Sequence, residues 1–332
     1  IYAVAEAGGD FTHPDCTIHG IRSENIAAIR AVIELAPVKS NKRASVYSPV
    51  YANERNRLKI QSEQNLEGDI DAFKRALNML PKDRKTPLTA LDIGCASGEV
   101  TASRFGTFDI FSSVLGIDIN SESIQVANAH IANKQYTFIQ GDVLSPNFLA
   151  VTNEYLNKIN ASGFDLIFSS LAIHHMEDPQ KAVKTMAQLL NKGGVVLLRG
   201  TDDDAKIAYP DNNNLLRKII EHTYTIPGVS DRKNGRKLYS QLWRASFKNI
   251  EVLIRPKTTA GLSVEERVKL FEESFSYRIN YIRRILEQSP HDAKLKEEER
   301  LMQERLEKLK KCFESEDFFY SEQTFSAIGR KV

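Results

Sequence analysis

The residues of this chain best placed to do chemistry fall into four groups. Asp92 nearly closes an apolar run and leads into Gly94, Cys95, Ala96, Ser97 and Gly98, small residues that let a ligand approach the backbone closely. Glu99 then opens a helix, whose first free N–H groups favour a carboxylate or another anionic group. Asp118 ends a second apolar run 20 residues after Gly98, where doubly wound folds set the acid that binds ribose hydroxyls. His174 and His175 follow a later run, and an imidazole with an ordinary pKa of about 6.5 is suited to move a proton. Asp202, Asp203 and Asp204 leave the next run together. Three adjacent acids repel one another and call for compensation. Arg199, Lys206, Arg232 or Arg236 could supply it, as could plain solvent, or a cationic acceptor such as an amine, amino acid or guanidino compound. Successive side chains of an extended segment face opposite ways, so Asp202 and Asp204 would share a face.

A further trio, His13, Cys16 and His19, has metal-ligating side chains three apart. A closed structural zinc site takes four ligands, commonly with a CxxC or HxxxH pair, and neither pair is present. The reading is a loop with incidental histidines and no metal. Three cysteines, Cys16, Cys95 and Cys312, without paired spacing suit a reducing, cytoplasmic compartment rather than a disulfide framework. The 42% hydrophobic and 27% charged residues are those of an ordinary globular chain, and a net charge of +2 gives no field that favours nucleic acid or a membrane. No apolar stretch approaches the ~18 residues of a membrane span, and nothing reads as a cleavable leader.

The elements that must hold these groups follow from periodicity. Strands are expected at 89–94, 113–118, 136–140, 164–169 and 194–200, with helices between them. That alternation argues for a parallel sheet covered on both faces. Asp178-Pro179 begins one helix with an N-cap and a proline at its first position, and Asn191-Lys192-Gly193-Gly194 ends it. Two further strands are read at 248–256 and 319–331. Ahead of the sheet, Ile26, Ile29, Ile33 and Ala36 mark a short helix, and Leu66, Ile70, Phe73, Leu77 and Leu80 mark another over 66–80. No internal repeat or low-complexity tract appears.

Taken in order, D-I-G-C-A-S-G, G-I-D-I-N, Q-G-D-V, F-D-L-I-F-S-S-L-A-I-H-H-M-E-D-P and L-L-N-K-G-G-V-V-L-L-R-G resemble the successive motifs of class I S-adenosylmethionine-dependent methyltransferases. The likeness is strongest to the branch that modifies small molecules and quinone precursors, and it covers about residues 64–256. Ala96 stands where the family's loop often has glycine. The resemblance implies a doubly wound, seven-stranded, mostly parallel sheet and S-adenosylmethionine as cofactor. It implies that Asp92 and the Gly94–Gly98 backbone hold the methionine part and that Asp118 takes the ribose hydroxyls. Ile119 would pack on the adenine, Asp142 would take the adenine amino group with Val143 nearby, and Ser169 would line the methionine side. His174 and His175 are the candidate catalytic residues, although in such proteins this pair often only shapes the pocket wall. A dinucleotide dehydrogenase would want a third loop glycine where Glu99 stands, and that charge would repel a pyrophosphate.

About 60 residues, 258–317, separate the last two strands, where the resemblance leads one to expect a tight connection. They read as two helices. The first is opened by the capping box Ser263/Glu266 and carries Val264, Val268, Phe271, Phe275, Ile282 and Leu286; the second carries Leu295, Met302, Leu306, Leu309 and Phe313. A parallel sixth strand and an antiparallel seventh would make this hairpin emerge on the ligand side, as a lid. The expected organisation is an extension at 1–63, a core at 64–257 and 318–332, and the insertion at 258–317. Tyr47 and Tyr51 are expected to join the lid over the acceptor, with Tyr209 and the three aspartates as further acceptor-binding candidates. The expected function is direct in-line methyl transfer to a small molecule, amine or amino-acid-like. The alternatives are an oxygen or carbon acceptor of phenolic, keto-acid or quinone type, a nucleic-acid methyltransferase, and a non-catalytic cofactor-binding module. The amino-directed N-P-P-Y motif is absent after the fourth strand, where S-S-L-A stands, so nucleic acid is not expected as a partner. A homodimer is left open.

Overall fold

A computed structural model describes residues 52–332. The short helix read at 26–36, the trio His13, Cys16 and His19, and Tyr47 and Tyr51 lie outside the described residues.

The chain enters through helix α1, Ala52–Asn78, longer at its start than the apolar stripe suggests. Its early buried positions are Arg57, Asn65 and Asp69, polar residues that a search for apolar periodicity passes over. Then β1 (Leu88–Ile93), α2 (Glu99–Phe105), β2 (Phe111–Asp118), α3 (Ser121–His130), β3 (Tyr136–Gln140), α4 (Phe148–Lys158), β4 (Phe164–Ser170), α5 (Pro179–Leu189) and β5 (Leu190–Thr201) alternate as expected. Asp178 caps α5 by accepting the Lys181 N–H. The helix stops at Leu189, before the expected glycine, and Gly193 instead turns the start of β5 with φ +77. Helices α6 (Leu215–Thr225) and α7 (Leu238–Arg244) precede β7 (Lys248–Thr258), and β8 (Phe319–Arg330) closes the chain.

The parallel part of the sheet runs β3-β2-β1-β4-β5, with β8 antiparallel beside β5 and β7 beyond β8. Alternate side chains feed two cores. Ala90, Val114, Leu166, Phe168, Val195 and Leu197 pack with Phe73 of α1 and Phe105 of α2. Leu91, Ile93, Ile117, Ile167, Val196 and Leu198 pack with α4, α5 and α7. This period of two, apolar on both faces, is the signature of a covered parallel sheet.

Two expectations are corrected. Among the described residues the sheet has eight strands, not seven, because β8 outruns β5. Residues 324–330 of β8 pair with β5, and Phe319, Tyr320 and Ser321 pair with an added strand β6 (Ile207–Tyr209). The insertion holds three α-helices, not two: α8 (Val264–Phe271), α9 (Arg278–Gln288) and α10 (Ala293–Phe313). A π-helical stretch, Glu272–Ser276, interrupts the first apolar stripe and separates α8 from α9. The capping box at Ser263 and Glu266 is formed. Because β7 and β5 both run antiparallel to β8, the insertion leaves at the carboxyl edge of the parallel strands. There it builds a third core with α6, in which Leu216, Ile219 and Ile220 meet Phe275, Ile282, Met302, Leu306 and Phe313.

Candidate active site

The carboxyl ends of β1 to β5 gather most of the singled-out residues on one edge of the sheet. Gly94 has φ +82, and a Cβ there would lie 2.3 Å from that of Ala172, so the loop after β4 closes on the loop after β1 only because this residue lacks a side chain. Gly98, φ +75, starts α2 against Ile131 and Phe138 at 2.7 Å from a notional Cβ. Between them Ala96 also takes a left-handed conformation, φ +47. It is held there by Asp118, whose Oδ2 accepts the Ala96 N–H at 2.9 Å, while Oδ1 accepts the Asn120 N–H at 2.9 Å. One carboxylate thus fastens the glycine-rich loop of β1 to the end of β2.

Burial pushes the Asp118 carboxyl above its ordinary pKa, against the opposing effect of those N–H groups. Burial likewise pushes Asp92 up to about 7, with the Thr101 hydroxyl, 2.6 Å away, and Arg104 pulling it down and the Asp118 charge adding to the rise. Thr101 was not singled out from the sequence. It lies in the first turn of α2, where side chains tilt back toward the helix start and so toward the strand end. The Cys95 thiol is buried and raised well above its usual pKa, so this residue contributes backbone and packing rather than a nucleophile.

Beyond Asp118, Ile119 is 65% exposed at the mouth of the edge. Asp142 is half-buried after β3 and accepts the Leu144 N–H at 2.9 Å; the Val143 side chain is buried in the core, leaving only its backbone toward the edge. Ser169 is corrected. It is fully buried and donates its hydroxyl to the Ile93 carbonyl at 2.8 Å, linking β1 to β4 instead of lining a cleft. Leu171 follows with φ +53, a conformation that is a steric outlier for a bulky residue, and it turns the chain into a short 3-10 helix carrying His174 and His175. Their rings lie 4.0 Å apart, His174 buried and His175 half-buried.

The three aspartates after β5 are compensated from within. Asp202 accepts two N–H bonds from Arg236, 2.5 and 2.7 Å. Asp203 is fully buried between Arg278 at 2.9 Å, Arg232 at 3.4 Å and Lys206 at 3.9 Å. Although burial opposes it, these cations hold the Asp203 carboxyl well below the usual carboxylate range. Asp204 meets Lys233, Arg217 and Arg236 at 2.7 to 3.2 Å. The expectation that these acids hold a cationic acceptor loses its physical ground, because each repulsion is already offset by the chain's own cations. Tyr209, at the end of β6, is 75% exposed.

The residues present fit a nucleoside cofactor. An ionised carboxylate has about four lone-pair sites, so Asp118 keeps one on each oxygen for a ribose hydroxyl after accepting its two N–H bonds. The exposed Ile119 offers an apolar face beside it, and the left-handed loop brings backbone rather than side chains to the methionine end.

Such a site on an open α/β sheet defines a nucleoside-binding domain of the doubly wound class. Residues 85–246 match a family model described as a methyltransferase domain, and S-adenosylmethionine is the cofactor that such a domain implies. The tRNA U34 carboxymethyltransferase of Campylobacter jejuni is 36% identical over 115 residues, 34% of this chain and 36% of that protein. The ubiquinone biosynthesis O-methyltransferase of Rhizobium etli is 24% identical over 212 residues, 61% of this chain and 73% of that protein. The YcgJ protein of Bacillus subtilis aligns over 80% of this chain and 98% of its own, with a TM-score of 0.46 and 14% identity. The chain spans about a third of the length of the carboxymethyltransferase. No helix among the described residues is long and apolar enough to cross a membrane.

Proposed function

We propose that the chain transfers the methyl group of S-adenosylmethionine to a small-molecule acceptor. The observation that carries this reading is the single carboxylate of Asp118, which accepts the Ala96 N–H at one strand end and is followed at once by the exposed Ile119. When bound, the cofactor supplies a methyl made electrophilic by its sulfonium, so the hard chemistry is the cofactor's. Asp118 and Asp142 fix the nucleoside, and the loop at residues 94–98 receives the methionine end. His174 and His175 stand at the carboxyl end of β4, where an imidazole can take the proton of an oxygen acceptor. The insertion and α6 form the wall over this edge, excluding water and aligning the acceptor; alignment alone is worth ~7–11 kcal/mol of barrier.

With the aspartates internally paired, they no longer favour an amine over an oxygen or carbon acceptor. The likeness to a ubiquinone biosynthesis O-methyltransferase supports an oxygen acceptor. A second reading, methyl or carboxymethyl transfer to RNA, is favoured by the 36% identity to the tRNA carboxymethyltransferase. Calorimetry with S-adenosylmethionine tests the cofactor site. A mass-spectrometric screen for a one-methyl mass gain, with deuterated cofactor as control, tests transfer to extract metabolites against bulk tRNA. Cofactor binding with labelled metabolites supports the small-molecule reading. Label in tRNA alone refutes it.

A further inference from the structure

Strand β7 lies at an edge of the sheet: among the described residues it pairs with β8 alone. Its register with β8 runs unbroken from Glu251 opposite Ile328 to Thr258 opposite Ser321, and at the next residue the Thr259 N–H donates to the Tyr320 carbonyl at 3.0 Å. In an antiparallel strand the backbone groups of successive residues point to alternate sides. From Thr259 backwards, Lys257, Arg255, Leu253 and Glu251 therefore turn their N–H and C=O groups toward β8. The Thr324 hydroxyl of β8, which donates to the Arg255 carbonyl at 3.4 Å, agrees with this. Thr258, Pro256, Ile254 and Val252 turn theirs outward. Pro256, with no N–H to give, thus stands where its ring costs the β8 ladder nothing. Val252 and Ile254 each present a donor and an acceptor on an open edge.

The side chains on this edge are apolar as well. Ile254 is 53% exposed and Val252 partly so, on the face where Ile250 packs beside Leu242 of α7. Tyr239 and Trp243, one turn apart on α7, are also exposed, Trp243 to 64%. The Gln241 carbonyl accepts the Gln180 amide of α5, and the Gln241 side chain is buried on that flank. Helical spacing puts Tyr239 and Trp243 on the other side of the buried Leu238 and Leu242 stripe, away from α5. An edge strand with free backbone groups and apolar side chains is a template for another strand, and natural edges are usually blunted against it. Here Pro256 and Lys257 blunt one end, and the left-handed Asn249, φ +50, breaks the register at the other. Residues 251–255 between them are left open.

We propose that β7 is the contact edge of a homodimer, in which two copies of the chain pair antiparallel through residues 251–255 and join their sheets into one. The stretch complements itself. Laid on a second copy about Leu253, it sets Leu253 opposite Leu253, Val252 opposite Ile254 and Glu251 opposite Arg255. Val252 and Ile254 of opposite copies then exchange both backbone bonds, and their side chains meet on the α7 face. On the α1 face Glu251 already lies 4.0 Å from Arg75, and Arg255 2.9 Å from Asp71, so the cross-copy pairs extend a surface row of alternating charge. Moving the axis to Ile254 sets Val252 against Pro256 and forfeits a bond, and moving it to Val252 parts Glu251 from Arg255. The contact is isologous and closes on itself.

Sedimentation equilibrium of the whole chain tests this, with circular dichroism to verify that each variant is folded. The wild type should show about twice the mass of the chain. Ile254→Lys, at an exposed position, should raise the dimer dissociation constant about tenfold or more. Glu251→Arg and Arg255→Glu each set like charges across the axis and should also weaken the dimer, whereas the two together should restore it. Within one chain the double variant sets like charge against both Arg75 and Asp71, so its recovery can come only from the cross-copy pair. A monomer up to the highest soluble concentration leaves this edge to solvent or to a strand of another protein, and overturns the proposal. A dimer indifferent to Ile254→Lys, no recovery in the double variant, or a mass that keeps rising beyond the dimer overturns it equally.

Discussion

Replacing Asp118 by asparagine tests the site at its most informative atom pair. The carboxylate accepts backbone N–H groups on both oxygens, from Ala96 and from Asn120, each at 2.9 Å. An amide has one oxygen and one NH2 group, so in either orientation one backbone N–H faces a donor and loses its partner. A buried donor left unsatisfied costs about 1–3 kcal/mol. Ala96 stands in a left-handed conformation worth about 1–2 kcal/mol of strain, and the Asp118 bond helps to hold it there. Cofactor binding then suffers twice, through a relaxed loop and through the loss of charge-assisted bonds to the ribose, each worth about 1.5–3 kcal/mol. Since 1.4 kcal/mol is a factor of ten, the expected loss of affinity is roughly 100-fold. Asp118→Asn should therefore be nearly as weak as Asp118→Ala. Calorimetry with S-adenosylmethionine, with circular dichroism to verify folding, reads both variants. Unchanged affinity in a folded Asp118→Asn protein would refute the ribose assignment. Affinity midway between wild type and Asp118→Ala would refute the loop-anchor argument while sparing the ribose.

Three further outcomes are expected. Ala96→Gly removes the left-handed strain of about 1–2 kcal/mol but adds about 0.5–1 kcal/mol of unfolded-chain freedom, so stability should stay level or rise by up to about 1.5 kcal/mol with cofactor affinity kept; a clear drop in melting temperature contradicts this. Asp92 has its carboxyl raised from 3.8 to about 7 in the fold, so between those values the folded state binds more protons than the unfolded one and stability falls as pH rises. That contribution, about 4 kcal/mol, is fully present below pH 3.8 and lost by pH above 7, and Asp92→Asn should flatten the profile in urea titrations. Asp203→Asn strands buried cations and should cost about 3–5 kcal/mol, partly recovered by adding Arg278→Met; no recovery in the double variant would show that the pair is not the coupled unit.

The strands were legible because a parallel strand is apolar on both faces and carries its signal within itself. The run at 136–140 is β3 to the residue, and the other parallel strands shift only at their ends. Strand β6 was not legible. It has three residues, and what makes it a strand is the excess length of β8 more than a hundred residues later. The first half of α1 was not legible for a related reason: its buried side chains, Arg57 and Asn65, are polar and find partners in the insertion, as Asn65 does by donating to the Glu273 carboxylate at 3.2 Å. Ser169 was misplaced because its type and position fit a cleft wall, whereas its hydroxyl is spent on the Ile93 carbonyl.

The two halves of the site differ in how they are encoded. On the proposed cofactor side each strand end is followed at once by the residues assigned to it: Gly94 to Gly98 after β1, Asp118 and Ile119 at β2, Asp142 after β3. Such a site is written in short contiguous pieces, and motif spacing can reveal it. The buried charged cluster behind the strand ends has no such piece. Arg57, Asp203, Arg232, Glu273 and Arg278 span more than 200 residues and acquire meaning only when α1, the exit of β5 and the insertion meet. The apolar residues of the insertion pack mainly on one another and on α6, while it is tied to α1 by a hydrogen bond from Asn65 and to the ends of β5 and β7 by ion pairs. Ion pairs regain hydration when they open, so their separation recovers part of its cost in a way that an apolar contact cannot. An edge closed partly by charges is therefore one whose fit responds to the charge of what enters it, and the row of aspartates, already paired with Arg236, Arg278 and Lys233, is not where acceptor choice is expected to be decided.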